Sequence, residues 1–290
     1  MRMLILGAGY SGRDIARQAL SRGFTVAGTT RSPQKAEALA ALGIEPVLYD
    51  GGAFPERLLA AMAEATHLVQ SIAPGPDGDA AARQLEDGLI ATMPHLVWSA
   101  YLSTVGVYGD HQGAWVDEHT ECRPVSARSV ERVAAEESWR RLSGAQDVPL
   151  AILRLSGIYG PGRNAFVNLE QGTARRLVKP GQVFNRIRVE DIGSAALFLA
   201  ERELGGIYNI TDDEPCPPQD VVTEAARLMG IDPPAEQDFE TAELSPMARS
   251  FYGENKRVSN RKIRDLGFRF AFPDYRVSLA HLWQHNRWRG

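Results

Sequence analysis

The sequence predicts a doubly wound, parallel α/β sheet with a small C-terminal α/β lobe. Three observations carry that expectation. Short apolar runs alternate with helical patterns through the first half, a glycine-rich turn follows the first run, and the beat loosens after residue 160. Strands separated by helical crossovers pair in parallel, and the crossovers lay helices on both faces of the sheet.

The elements follow in order. "MLILGAG" (3–9) reads as a buried strand, and Ser11 to Arg22 as a helix closed by Gly23. "FTVAGTT" (24–30) is a second strand. Pro33 opens the helix "PQKAEALAAL", because proline suits a first helical turn, and Gly43 ends it. "IEPVLYD" (44–50) is a third strand, Pro55 to Ala65 a helix and "HLVQSIA" (67–73) a fourth strand. The breakers "PGPDGD" precede a helix to Met93 and a fifth strand, "HLVWSAYLST" (95–104). A long helix from Ser126 to Ser143 leads to a sixth strand, "PLAILRLS" (149–156). Beyond it, "RIRVEDIGSAALFLAERE" is a strand end entering a helix, and "GGIYNITDDEP" is another strand. Pro217 and Pro218 lead into the helix "QDVVTEAARLMG". The proline-bearing stretch 232–247 and the tail from 261 suggest a separate lobe. The expected division is 1–165, with 185–212 returning to it, against 166–184 and 213–290.

Composition narrows the function classes. The 290 residues are 44% apolar and 23% charged with a net charge of −4, ordinary for a soluble globular protein. Lysine and arginine form no stripe or arm, which argues against nucleic acid. No apolar run is long enough to span a bilayer, and no leader pattern precedes the first strand, so the expected location is cytoplasmic. Cys122 and Cys216 lie far apart and read as free thiols.

The turn Gly7-Ala8-Gly9-Tyr10-Ser11-Gly12 leaves an apolar strand and enters a helix, the context that makes G-x-G-x-x-G a dinucleotide cradle. Gly7 makes the turn, Gly9 lets backbone approach a pyrophosphate, and Gly12 lets helix and strand pack closely. Amides at the helix start, at Tyr10 and Ser11, complete an anion site. Where NAD-preferring domains carry an acid, the second strand ends in Thr30-Arg31-Ser32. Arg31 can pair with a 2′-phosphate, and the two hydroxyls can donate to it, which favours NADP over NAD. Arg31 as a solvated loop charge is the alternative. Asp50, ending the third strand, suits the adenine amino group or a plain turn.

The segment "AYLSTVGVYGDHQGAWVDEHTECRP" resembles the extended short-chain dehydrogenase/reductase superfamily, which includes nucleotide-sugar epimerases and dehydratases. "LRLSGIYGPGR", "RIRVEDIGSAA", "NITDDEPCPPQDVV" and "KRVSNRKIRDLGF" are similar to its later blocks, in the same order, across nearly the whole chain. The resemblance implies an NAD(P) cofactor and a small-molecule substrate, and allows a homodimer. It makes Thr104 the substrate-polarising hydroxyl; a strand-end hydroxyl capping backbone is the alternative. It also exposes a departure. In "VSARSVERVAAEESW" the family's Tyr-x-x-x-Lys positions hold Arg128 and Arg132. Arginine stays protonated and cannot replace a phenol as acid/base. Tyr108 and Tyr159 stand in Tyr-Gly segments whose tyrosines, by the same resemblance, are structural or line the substrate cleft. By proximity alone Tyr108 is the nearest acid/base substitute, with Ser126 and Ser129 the nearest hydroxyls on the helix. Arg128 and Arg132 share a helical face, so either Glu131 and Glu136 compensate them or the pair holds an anionic group of a ligand, with Arg132 toward the cofactor.

Other features read as structural. Asp117, Glu118 and Glu121 look like a solvated loop patch. Arg154 suits a buried carboxylate partner, and Trp283 and Trp288 suit packing. His281 and His285 lack a third ligand nearby, so no metal site is expected. Two functions stay open: an atypical NADP-dependent oxidoreductase or epimerase/dehydratase-like enzyme, and a non-catalytic dinucleotide-binding sensor or regulator.

Overall fold

The computed structural model describes every residue except 86–87, 246–248 and 250. Seven strands form the central sheet: β1 (Arg2–Leu6), β2 (Thr25–Thr30), β3 (Glu45–Leu48), β4 (His67–Gln70), β5 (Trp98–Thr104), β6 (Leu150–Leu155) and β7 (Gly206–Ile210). Their order is 7-6-5-4-1-2-3, and the pairs β1/β2, β2/β3, β1/β4 and β4/β5 are parallel. Strand order reverses between β1 and β4, the kind of switch point beside which open α/β sheets bind ligands.

The flanking helices begin where the sequence supplies caps. Helix α1 (Tyr10–Ser21) starts from Gly9, α2 (Pro33–Ala41) is capped by the Ser32 hydroxyl, and α3 (Glu56–Glu64) follows Pro55. Helix α4 (Ala127–Gly144) is capped by Ser126, and α5 (Val189–Ala200) follows a short strand at Arg186–Arg188. Apart from β1, which starts one residue early at Arg2, strand ends lie inside the expected runs, because the flanking glycines and polar residues leave the ladder early. One expectation needs correcting. The helix to Met93 is two short pieces, Ala80–Gln84 and Leu89–Thr92, and Gly88 between them has φ +129°. That backbone region ends a right-handed helix. The rest of that expected helix, 86–87, lies outside the described residues, as does the end of the 232–247 stretch.

The chain divides into two compact units. The first holds Met1–Val107, Pro124–Arg154 and Ile192–Tyr208; the second holds Tyr108–Arg123, Leu155–Asp191 and Asn209–Gly290. The return to the first unit therefore starts at Ile192 rather than 185, and the loop from Tyr108 counts with the second. The first unit's core includes one apolar cluster in which Leu4, Leu6, Leu68, Tyr101, Trp139 and Ile152 are all buried. The second unit has its own core, which includes helices α6 (Pro218–Met229) and α7 (Tyr275–Gln284). There Phe166 packs against Trp283 and Trp288, whose rings stack at 5.9 Å, so both tryptophans are packing residues.

Candidate functional site

Each glycine of the first turn answers a different demand. Gly7 has φ +87°, and a Cβ there would stand 2.8 Å from Ile72 Cγ1. On Gly12 a Cβ would stand 2.7 Å from the Gly7 carbonyl oxygen and 3.1 Å from Ile5 Cγ2, so only glycine lets α1 pack this close to β1. Gly9 is unlike both. A Cβ there would meet nothing nearer than the Gly7 oxygen at 4.0 Å, so packing within the protein does not require glycine, whereas a phosphate against the backbone would.

The turn is set by the protein alone. Gly7 N–H donates to Thr29 Oγ1 at 2.7 Å, Ala8 N–H to the Thr29 carbonyl at 2.9 Å, and Gly9 N–H to the Gly7 carbonyl at 2.7 Å. No side chain caps the start of α1. Its first-turn amides have no acceptor within the helix, and the helix dipole adds partial positive charge there. These residues fit a dinucleotide pyrophosphate.

Arg31 and Asp50 lie just past the ends of β2 and β3, which pair in parallel. They line a cleft of about 260 Å³ with Leu48, Tyr49, Ala53 and Pro55. Arg31 is exposed and makes no ion pair or hydrogen bond among the described residues. Asp50 Oδ1 accepts from Gly52 N–H at 3.0 Å, so its turn role is real and one oxygen remains for a ligand. Thr30 Oγ1 accepts from Ser32 N–H at 3.4 Å, and Ser32 Oγ donates to Gln34 at 3.0 Å while capping α2. The apolar wall escaped the sequence reading, although Leu48 and Tyr49 immediately precede Asp50.

The β5 end is built differently. Thr104 is half-buried, and its Oγ1 accepts from Gly106 N–H at 3.1 Å, which leaves the hydroxyl proton for another acceptor. Arg132 Nη1 donates to the Leu102 carbonyl at 2.5 Å and to Tyr101 Oη at 3.3 Å, with its guanidinium 5.7 Å from the Tyr101 ring centre. Arg128 is exposed and has no partner among the described residues. The two arginines are thus not a single compensated pair, because Arg132 is committed to the strand and Arg128 is not. Ser126 Oγ donates to Ser129 Oγ at 2.9 Å in an ordinary helix cap.

Two carboxylates also differ from expectation. Glu136 is not a surface acid but 1% exposed, and it pairs with Arg154, which is 2% exposed, at 2.8 Å. Arg154 does anchor a buried carboxylate, and that carboxylate is unavailable to Arg128 and Arg132. Glu118 is half-buried rather than solvated. It accepts the Asn209 backbone N–H at 2.8 Å, and burial pushes its carboxyl up.

Tyr108 must be withdrawn as an acid/base candidate. It is fully buried, and its hydroxyl donates to Asn209 Oδ1 at 2.7 Å. A phenol held in the core has no open path to a substrate proton. Tyr101, an unforeseen phenol beside Arg132, is equally enclosed, and burial drives its pKa well above the ordinary tyrosine value despite the neighbouring guanidinium.

In the second unit, Arg188 is wholly buried and committed to Glu190 at 2.6 and 2.8 Å and to Ser278 Oγ at 2.9 Å. Asp212 is 2% exposed with one oxygen unpartnered, and burial raises its pKa to about 8 against the opposing pull of Arg186. Arg186 also donates to Cys216 Sγ at 2.9 Å. Among the described residues neither Cys122 nor Cys216 is in a disulfide, and His281 and His285 stack at 4.3 Å. Among the described residues no helix is long and apolar enough to cross a membrane.

A parallel sheet in the order 7-6-5-4-1-2-3, with a glycine cradle at its switch point, defines a Rossmann-type dinucleotide-binding protein. Residues 98–211 match the model of the NAD dependent epimerase/dehydratase family. The chain is 30% identical over 292 residues to Protein YeeZ of Escherichia coli (strain K12), covering 94% of this chain and 97% of that protein. It is 44% identical to a functionally unknown conserved protein from Silicibacter pomeroyi DSS, with a TM-score of 0.88 over 98% of this chain and 99% of that one. Two more distant structures share the fold. UDP-glucuronic acid 4-epimerase from Bacillus cereus, solved with NAD, has a TM-score of 0.79 at 15% identity over 98% and 96% of the two chains. Human epimerase family protein SDR39U1 (isoform 2), solved with NADPH, has 0.75 at 16% over 98% and 99%. This chain belongs to the NAD-dependent epimerase/dehydratase family of extended short-chain dehydrogenases/reductases.

Proposed function

We propose that the chain binds NADP(H) at the Gly7–Gly12 turn and works as an atypical oxidoreductase or epimerase/dehydratase-like enzyme on a small molecule. The observation that carries this reading is the cradle itself: no packing neighbour requires glycine at position 9, yet the glycine leaves room for an anion at the start of α1, which no side chain caps. Arg31, unpartnered in the cleft it shares with Asp50, supports a 2′-phosphate and hence NADP over NAD. When bound, the cofactor supplies hydride acceptance or donation. Thr104 holds a proton toward a substrate oxygen, and Arg132, held against β5 from helix α4, orients the cofactor's ribose. Arg128, an exposed unpartnered cation, suits an anionic group on the substrate.

A second reading, a non-catalytic dinucleotide sensor, is favoured by one specific finding. The family's phenol position holds Arg128, and Tyr108 is locked to Asn209. Losing a general acid/base costs about 10²–10⁴ in rate. The test follows NADPH oxidation against nucleotide sugars and simple carbonyls, alongside NADPH binding. Tight binding with slow turnover that falls further in Thr104→Val supports the enzyme; tight binding with no turnover on any substrate supports the sensor. A protein that takes up no NADPH contradicts both.

A further inference from the structure

Helix α4 carries two side chains, one turn apart, that both reach β5. Arg132 takes the Leu102 carbonyl and the Tyr101 hydroxyl. Glu136 accepts from Ser103 Oγ at 2.6 Å, and Arg154 on β6 gives Nε at 3.1 Å and Nη2 at 2.8 Å to its two oxygens. Arg140, one turn further on, adds Nη2 at 3.4 Å. Tyr101, Leu102 and Ser103 are consecutive, and Thr104 is the next residue. A slide or rotation of α4 against β5 therefore breaks contacts to three successive strand residues at once.

We propose that Glu136, clamped by Ser103 and Arg154, is a positioning residue that holds Arg132 and Thr104 in register for the cofactor's nicotinamide-ribose end. The inference rests on the NADP(H) reading above. Stability alone does not explain such a pair. Two well-packed apolar side chains of similar volume commonly stabilise a core as well as a buried ion pair, or better. What the pair adds is direction: β5, β6 and α4 each supply a donor to one carboxylate, which fixes its orientation from three elements. Arg132 has a long side chain with many rotamers, and it reaches the Leu102 carbonyl only while α4 keeps this register. Residues 132 and 136 are neighbours on one helical face, so displacing one displaces the other.

The test compares two ligands by calorimetry on the whole protein. NADPH would span the site, whereas adenosine 2′,5′-bisphosphate reaches only the Arg31 end. Glu136→Gln is expected to weaken NADPH about ten-fold and the bisphosphate less than about two-fold, the split of a fault local to β5 and α4. Ser103→Ala, which removes one hydrogen bond, is expected to weaken NADPH by roughly two- to five-fold with the same split, and decides the matter if Glu136→Gln does not fold. In an Arg132→Ala background the loss from Ser103→Ala should shrink well below its value alone, because the clamp acts largely through Arg132. Equal weakening of both ligands, no weakening of either, or additive losses in that background would overturn the proposal. A wild-type protein that binds neither ligand removes the cofactor reading, and this proposal with it.

Discussion

At the β1–α1 turn the backbone is set by the protein and left bare, whereas at the β5–α4 junction the polar side chains are occupied with one another. Gly9 faces open space and Arg31 has no partner among the described residues, while Arg132, Ser103, Glu136 and Arg154 each make hydrogen bonds inside the first unit. The contrast separates binding from proton transfer. The first end offers a helix start with no side-chain cap beside an exposed Arg31, and at the second Ser103, Glu136, Arg154 and Arg132 form a hydrogen-bonded framework next to Thr104.

The largest effect should come from breaking the framework. Glu136→Gln leaves the Arg154 charge buried without its partner and is expected to cost about 3–5 kcal/mol in urea unfolding. Replacing both together, Glu136→Leu with Arg154→Met, should recover most of that loss. A double variant as weak as the single one would mean that the surrounding hydrogen bonds, not the charge, carry the cost.

Gly9→Ala probes the other end. The added Cβ meets only an oxygen at 4.0 Å, but φ −80° and ψ −150° lie off the regions L residues favour, so the melting temperature should fall only by the cost of that backbone, about 1–3 kcal/mol in stability. NADPH affinity should nonetheless fall on the order of 100-fold, because the methyl group occupies the pyrophosphate's line of approach. Unchanged affinity would remove the cradle from the account.

Asp212 extends the comparison of buried carboxylates. Glu136 is ion-paired by Arg154, but Asp212 keeps an unpartnered oxygen, and its pKa is pushed up to about 8. The folded state then holds a proton that the unfolded chain releases near its ordinary value of 3.8. The native state binds more protons between these values, so stability falls as pH rises through that window toward 8. Asp212→Asn should flatten the decline, and an unchanged pH profile would show that the group is not protonated in the native state. The smallest effect is expected at Tyr108. Tyr108→Phe should cost about 1 kcal/mol of stability and leave any NADPH turnover unaltered; a collapse of turnover would return it to the acid/base role.

Much of the cradle was legible in the sequence because its constraints are local. Gly7, Gly9 and Gly12 are fixed by a turn six residues long, and Arg31 ends the adjoining strand. The fold was legible for a similar reason, since apolar runs and caps at Ser32, Pro55 and Ser126 mark each element. The occupied end was not, because partners there are distant in the chain. Ser103 and Glu136 are 33 residues apart, and Tyr108 and Asn209 are 101 apart. Helical periodicity places Glu136 near Arg132, but it does not say that β6 delivers Arg154 beneath it. The break at Gly88 was hidden differently: one glycine inside an apolar pattern reads as a tolerated cost until its positive φ is seen.

The central claim is that a selective dinucleotide site survives beside altered acid/base residues, and calorimetric titration of the wild-type protein with NADPH and NADH tests it most directly. A charge-assisted contact from Arg31 to the 2′-phosphate predicts NADPH tighter by about 1.5–3 kcal/mol, and Arg31→Ala should bring the two affinities together. Equal affinities in the wild type, or a preference that survives Arg31→Ala, would contradict the account.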